Sequence, residues 1–155
     1  MKIFWLLLIF LFTLQTRSVA QQKLLDIEDI VNLQQIERKP VLVLVGTSWC
    51  RYCQAMKNAI AKGKTDQVVL KKFYIVYLDA ESKKDLEFNG RKYPFLPNGP
   101  NTGIQSLALV LGAVDGNLAY PTLSILSPDN EVVFRHQGYL NSRALASLLK
   151  KAGGY

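Results

Sequence analysis

The chain has 155 residues, 49% of them hydrophobic and 10% aromatic, which suffices for one domain with a sizeable core and excludes intrinsic disorder. The net charge is +7, but the cations are scattered and no aromatic-interleaved basic stripe or nucleic-acid motif accompanies them. They read as a solvated surface that steers acidic partners weakly.

The first twenty residues stand apart from the fold. Lys2 supplies a positive start, Ile3 to Leu14 is an apolar run, and Ser18-Val19-Ala20 ends in small residues. This is the pattern of a secretory signal cleaved after Ala20, and it places the mature protein, residues 21–155, in the periplasm or outside the cell. An uncleaved membrane anchor is the alternative, although a span needs about 20 apolar residues. Outside the cytoplasm disulfides persist, so cysteine pairs take on a different meaning there.

Lys23 to Arg38 is predicted as a helix, with Leu24, Ile27, Ile30, Val31 and Gln34 on one face and acids near its positive end. Lys39-Pro40 ends it. Val41 to Val45 is continuously apolar, as expected of a central strand covered on both faces. After Gly46 comes Thr47-Ser48-Trp49-Cys50-Arg51-Tyr52-Cys53, followed by a helical pattern from Gln54 to Lys62. A Cys-x-x-Cys therefore lies where a buried strand gives way to a helix.

That placement favours redox chemistry. The first helical turn has free N–H groups and partial positive charge, which ease ionisation of a thiol, and the thiolate is the form that attacks disulfides. Two intervening residues bring the second sulfur one turn on, within reach of a small disulfide. Cys50 reads as the exposed attacking sulfur and Cys53 as the shielded resolving one. Three other readings stand beside this. A structural zinc needs about four ligands, and the chain has two Cys and the single His136. A purely structural disulfide across so short a loop contributes only about 2 kcal/mol in the entropy model. Two unrelated buried cysteines are the third.

Asp66 to Lys72 is predicted as a short helix and Phe73 to Leu78 as a strand ending at Asp79-Ala80. In the next segment, about residues 81–117, Asn89-Gly90 between short mixed runs signals a hairpin. Pro94, Pro97, Asn98-Gly99-Pro100 and Gly103 mark an irregular loop, and Ile104 to Leu111 reads as an apolar helix. Tyr120-Pro121-Thr122 introduces the strand Leu123 to Leu126. A Ser127-Pro128-Asp129-Asn130 turn returns it as Glu131 to Arg135, leaving His136 at an edge with no catalytic role. Asn141 can cap a last helix that buries Ala144, Leu145, Leu148, Leu149 and Ala152. The tail Gly153-Gly154-Tyr155 is expected to fray.

Trp-Cys-x-x-Cys between strand and helix, with Tyr120-Pro121-Thr122 downstream and Gly138-Tyr139 before the final helix, resembles the thioredoxin superfamily from about Leu24 to Ala152. Among its members the chain is similar to exported thioredoxin-like proteins near the soluble domain of the DsbD type. The resemblance implies an α/β thioredoxin fold: a central mixed sheet flanked by helices, with residues 81–117 inserted before the strand that follows Pro121. It implies a cis Tyr120–Pro121 bond lying against the dithiol. Tyr120 and Trp49 would be apolar walls of the site, and the Tyr120 backbone would pair with an extended substrate. The inserted segment would serve as a cover over the core or as a partner-selecting wall beside Cys50. One departure matters: the family commonly carries a buried Asp six residues before the first Cys, and here that position is Leu44. Arg51 adds a cation beside the nucleophile, and Tyr52, where thioredoxins carry Pro, would shield Cys53 or contact substrate.

The function implied is a thiol–disulfide oxidoreductase acting on disulfide-containing or dithiol proteins, reducing them, with the Cys50–Cys53 disulfide in place of any other cofactor. A disulfide oxidase or isomerase, a non-catalytic binding module and an exported copper carrier are the alternatives. The chain is expected to be monomeric.

Overall fold

Every residue of Val41–Gly46 (β1) is buried, and the rest of the fold is arranged to cover it. The computed structural model describes residues 21–152. The expected leader, Met1 to Ala20, and the tail Gly153-Gly154-Tyr155 lie outside the described residues.

Along the chain, a short 3-10 turn (Ile27–Asp29) runs into α1 (Ile30–Ile36). β1 is followed by α2 (Arg51–Ala61), α3 (Gln67–Leu70) and β2 (Tyr74–Asp79). The inserted segment contributes β3 (Leu86–Phe88), β4 (Arg91–Tyr93), β5 (Phe95–Pro97), β6 (Gly103–Gln105) and α4 (Ser106–Gly112). The chain then completes the main sheet with β7 (Thr122–Leu126) and β8 (Val132–Gln137) and closes with α5 (Ser142–Ala152).

The main sheet is mixed, in the order β2-β1-β7-β8. β1 runs parallel to β2, pairing Gly46 with Asp79, and antiparallel to β7, pairing Val45 with Thr122. The far ends of β1 and β2 and the start of β7 therefore meet at one end of the sheet. Because side chains alternate along a strand, β1 feeds two cores. Val41, Val43 and Val45 pack with Val76, Leu78, Leu107, Ala108 and Leu111, whereas Leu42 and Leu44 pack with Met56, Ile60, Ile75, Leu145 and Leu149. The result is the thioredoxin arrangement expected from the sequence, with helices on both faces.

The inserted segment is a cover for the first of these cores. Leu86, Phe88, Leu107, Ala108 and Leu111 are all buried in it. Gln105, fully buried, fastens it: its backbone N–H donates to Ala80 O at 2.7 Å, its side-chain amide donates to Tyr93 O at 2.7 Å, and its side-chain oxygen accepts from Leu107 N. The carbonyls that end α4 are met by Ser124 Oγ, which donates to Leu111 O, and by Arg135, which donates to Leu111 O and Val110 O.

Three predicted elements need correction. The helix expected from Lys23 begins only at Ile27, because Leu25 is extended: it bridges Val76 in parallel, and its N–H donates to Ile75 O at 2.8 Å. The irregular loop after Pro94 is a second hairpin, Phe95–Pro97 against Gly103–Gln105. That pairing also takes Ile104 and Gln105 out of the expected helix. The Asn89-Gly90 hairpin is present, with both residues at positive φ. The last helix carries the predicted cap, Asn141 Oδ1 accepting from Ala144 N at 2.9 Å.

Candidate redox site

Cys50 and Cys53 are joined by a disulfide, with Cα atoms 5.2 Å apart. Cys50 is the N-cap of α2 in extended conformation, and its Sγ accepts from the Cys53 N–H at 3.1 Å. The sulfur thus takes the place that a serine or aspartate oxygen usually holds at a helix start. Once reduced, the same N–H and the positive helix end face the Cys50 sulfur and favour its thiolate. No acid lies in the first turn to oppose this. The two cysteines differ in access: Cys50 is 7% exposed and Cys53 0%.

Cys50 is thus nearly buried in the disulfide form, and the expectation of an exposed sulfur holds only relative to Cys53; aromatic side chains flank it in the chain. Trp49 and Tyr52 are each 64% exposed. The Trp49 ring stands edge-on to Tyr120, with centroids 6.1 Å apart. Tyr52 instead leans on Tyr139 at 5.3 Å, so it extends the surface rather than covering Cys53. Arg51 projects from the first turn into solvent. The Tyr120–Pro121 peptide bond is cis, and Pro121 O accepts from Gly138 N at 2.8 Å, which ties this loop to the one carrying Tyr139.

Several residues of the site carried no motif. Glu81 accepts from Trp49 Nε1 with both carboxylate oxygens, at 3.1 and 3.0 Å, and fixes the indole. Burial, then the charges of Glu81 and Asp79, push the Tyr120 hydroxyl above its ordinary pKa. Glu81 was open to inference, because it follows the end of a strand parallel to β1, and the ends of parallel neighbours share one edge. Behind the disulfide, Gln54 Nε2 donates to Thr47 O at 2.9 Å and to Tyr77 Oη at 3.0 Å, and Tyr77 Oη donates to Thr47 O at 3.1 Å. Leu44, where the family commonly has an acid, is buried among apolar side chains.

This geometry agrees with the comparisons with known proteins. The family described as "Thioredoxin-like domain" matches residues 28–153. The chain belongs to the thioredoxin-like domain family. No curated protein matches it in sequence. Among solved structures it is similar to a protein titled "DsbH Oxidoreductase", with a TM-score of 0.61, 17% identity, and coverage of 90% of this chain and 91% of that one. A thioredoxin-fold protein from Helicobacter pylori gives a TM-score of 0.56 at 18% identity, covering 75% and 70%. A disulphide isomerase from Xylella fastidiosa Temecula1 gives 0.53 at 15% identity, covering 88% and 98%. At these identities the likeness is one of fold. A Cys-x-x-Cys disulfide at a helix start on a thioredoxin-like domain is the equipment of a thiol–disulfide oxidoreductase. Among the described residues, no helix is long and apolar enough to cross a membrane.

Proposed function

We propose that this protein is an exported thiol–disulfide oxidoreductase that reduces disulfides of partner proteins. The observation that carries the reading is the asymmetry of the pair: Cys50 keeps a small exposure and has a helix N–H directed at its Sγ, whereas Cys53 is wholly enclosed. In the reduced protein the Cys50 thiolate attacks one sulfur of a partner disulfide. A mixed disulfide forms, and the other partner sulfur leaves as thiolate. The Cys53 thiol then attacks Cys50 Sγ, closing the Cys50–Cys53 disulfide and releasing the second partner sulfur as thiol. A dithiol donor restores the reduced form. Trp49, Tyr52 and Tyr120 offer the partner apolar contact, and the Tyr120 backbone beside Pro121 pairs with its extended strand. Arg51 favours the thiolate weakly, because its exposed charge is screened. Export rests on the leader-like Lys2 to Ala20 segment.

Trapping tests the reading. With Cys53→Ser, the mixed disulfide on Cys50 should accumulate and be captured with its partner. If the reduced native protein alkylates slowly at both cysteines and no adduct is captured, the redox assignment is wrong. Titrating the couple against glutathione tests direction, and a strongly oxidising potential would overturn reduction of partners.

A further inference from the structure

Resolution of the mixed disulfide needs Cys53 to lose a proton, yet its sulfur is sealed from solvent. β1 offers nothing that ionises beside it: Leu44 and Val45 precede Gly46. β7 contributes Thr122 and Leu123 at this end of the sheet, again with no titrating group. β2 brings a polar group to this point. A Cβ built on Gly46 would lie 2.8 Å from Cys53 Sγ and 3.1 Å from Tyr77 Oη. Both atoms therefore border the position that a side chain on Gly46 would take, and both can approach it only because Gly46 has none.

We propose that Tyr77 is the hydrogen-bond donor that stabilises the Cys53 thiolate during resolution, with Gln54 freeing it for that task. The proposal rests on the dithiol reading above. In the disulfide form the Tyr77 hydroxyl is directed at Thr47 O, which also accepts from Gln54 Nε2. That carbonyl has two donors, so the phenolic hydrogen can turn to sulfur without leaving a buried acceptor unpaired. Gln54 Nε2 also donates to Tyr77 Oη, which polarises the hydroxyl and makes it a stronger donor. Burial holds the phenol above its ordinary pKa, with the Gln54 bond acting against this and Asp79 adding to it, so it remains protonated at neutral pH. The other charge facing it is Lys57 of α2, whose Nζ lies 4.3 Å from the ring centroid. In the step itself the S–H bond of Cys53 breaks and a bond forms from its sulfur to Cys50 Sγ. The Cys50–partner bond breaks, and the partner thiolate takes up the proton. Tyr77 keeps its own proton throughout.

The test separates the two steps with dithiobis(nitrobenzoate) as the probe. Added in slight excess to the reduced protein, it releases one nitrothiobenzoate when Cys50 attacks and a second when Cys53 resolves the adduct. For Tyr77→Phe, the pH midpoint of the second release should rise by about one unit, a roughly tenfold slowing at neutral pH, as expected for a lost hydrogen bond to an anion. The first release should keep its rate and midpoint. Gln54→Leu leaves Tyr77 as sole donor to Thr47 O, pins the hydroxyl there, and should shift the second step the same way. This variant carries the test if Tyr77→Phe fails to fold. A second release with an unmoved midpoint, or an equal shift in both steps, would overturn the role of Tyr77 while leaving the dithiol reading intact. Absence of any second release from the parent protein would overturn both.

Discussion

Replacing Gly46 by alanine tests how tightly the sheet end is packed against the dithiol. The added methyl carbon would lie 2.7 Å from Cys53 Cβ and 2.8 Å from its Sγ. Both are about 1 Å inside the optimum for such contacts. In the oxidised protein neither atom can swing aside, because the disulfide and the first turn of α2 hold them, so β1 and α2 must separate locally. Overpacking of this kind costs about 2 kcal/mol. That corresponds to a fall in Tm of about 8 °C for a domain of this size. After reduction the sulfur is free to rotate and only the Cβ contact remains, so the cost should drop to about 1 kcal/mol. By linkage the disulfide of Gly46→Ala is then easier to reduce, by about 20 mV. Urea unfolding of both redox forms measures the two costs, and glutathione titration measures the potential. An oxidised Gly46→Ala protein within about 0.5 kcal/mol of the parent, the ordinary tolerance of a surface substitution, would show that the contact relaxes freely and would refute the reasoning.

Two further outcomes follow from side chains beyond the disulfide. Glu81→Gln removes a negative charge that acts on Tyr120 and should lower the pKa of that phenol toward its ordinary value, read by ultraviolet difference titration; an unchanged alkaline titration would contradict the placement of Glu81. Asp66 caps α3 and pairs with Lys150 at 3.0 Å, and the Lys150 bond, foremost, holds its carboxyl below the ordinary range against some opposing burial. Its folded pKa is depressed, so its contribution to stability is fully present above the unfolded carboxylate pKa, about 4, and is lost as pH falls through the folded value. Asn can still cap the helix, so Asp66→Asn isolates the charge: the urea midpoints of variant and parent should differ near neutrality and converge in acid.

Much of the site was legible because its chemistry is local. A strand, a turn and a helix contiguous in the chain bring Cys50 to the helix start, and the hydrogen bond from Cys53 N needs no distant residue. The aromatic neighbours Trp49 and Tyr52 came with the same stretch, although Tyr52 proved to pair with Tyr139 rather than to shield Cys53. Glu81, Gln54 and Tyr77 were not legible as a group, because no spacing in the chain relates them. The register of β1 with β2 brings Glu81 to Trp49, and Tyr77 to Gln54 and Thr47.

The same division holds for the fold. Apolar alternation, the Asn89-Gly90 turn and the Asn141 cap each specify local backbone geometry, and each element they predict is present. Leu25 and the segment from Phe95 to Gln105 went the other way. Their backbone groups find partners only in strands supplied by other parts of the chain, or in a returning strand past a Pro-rich turn, and local propensity does not count such partners. The amino-acid order by itself determined that a dithiol would cap a helix beyond a buried strand. Tertiary structure alone decided which polar groups stand around that dithiol, because Tyr77 and Glu81 are brought to its end of the sheet by the pairing of strands distant in the chain.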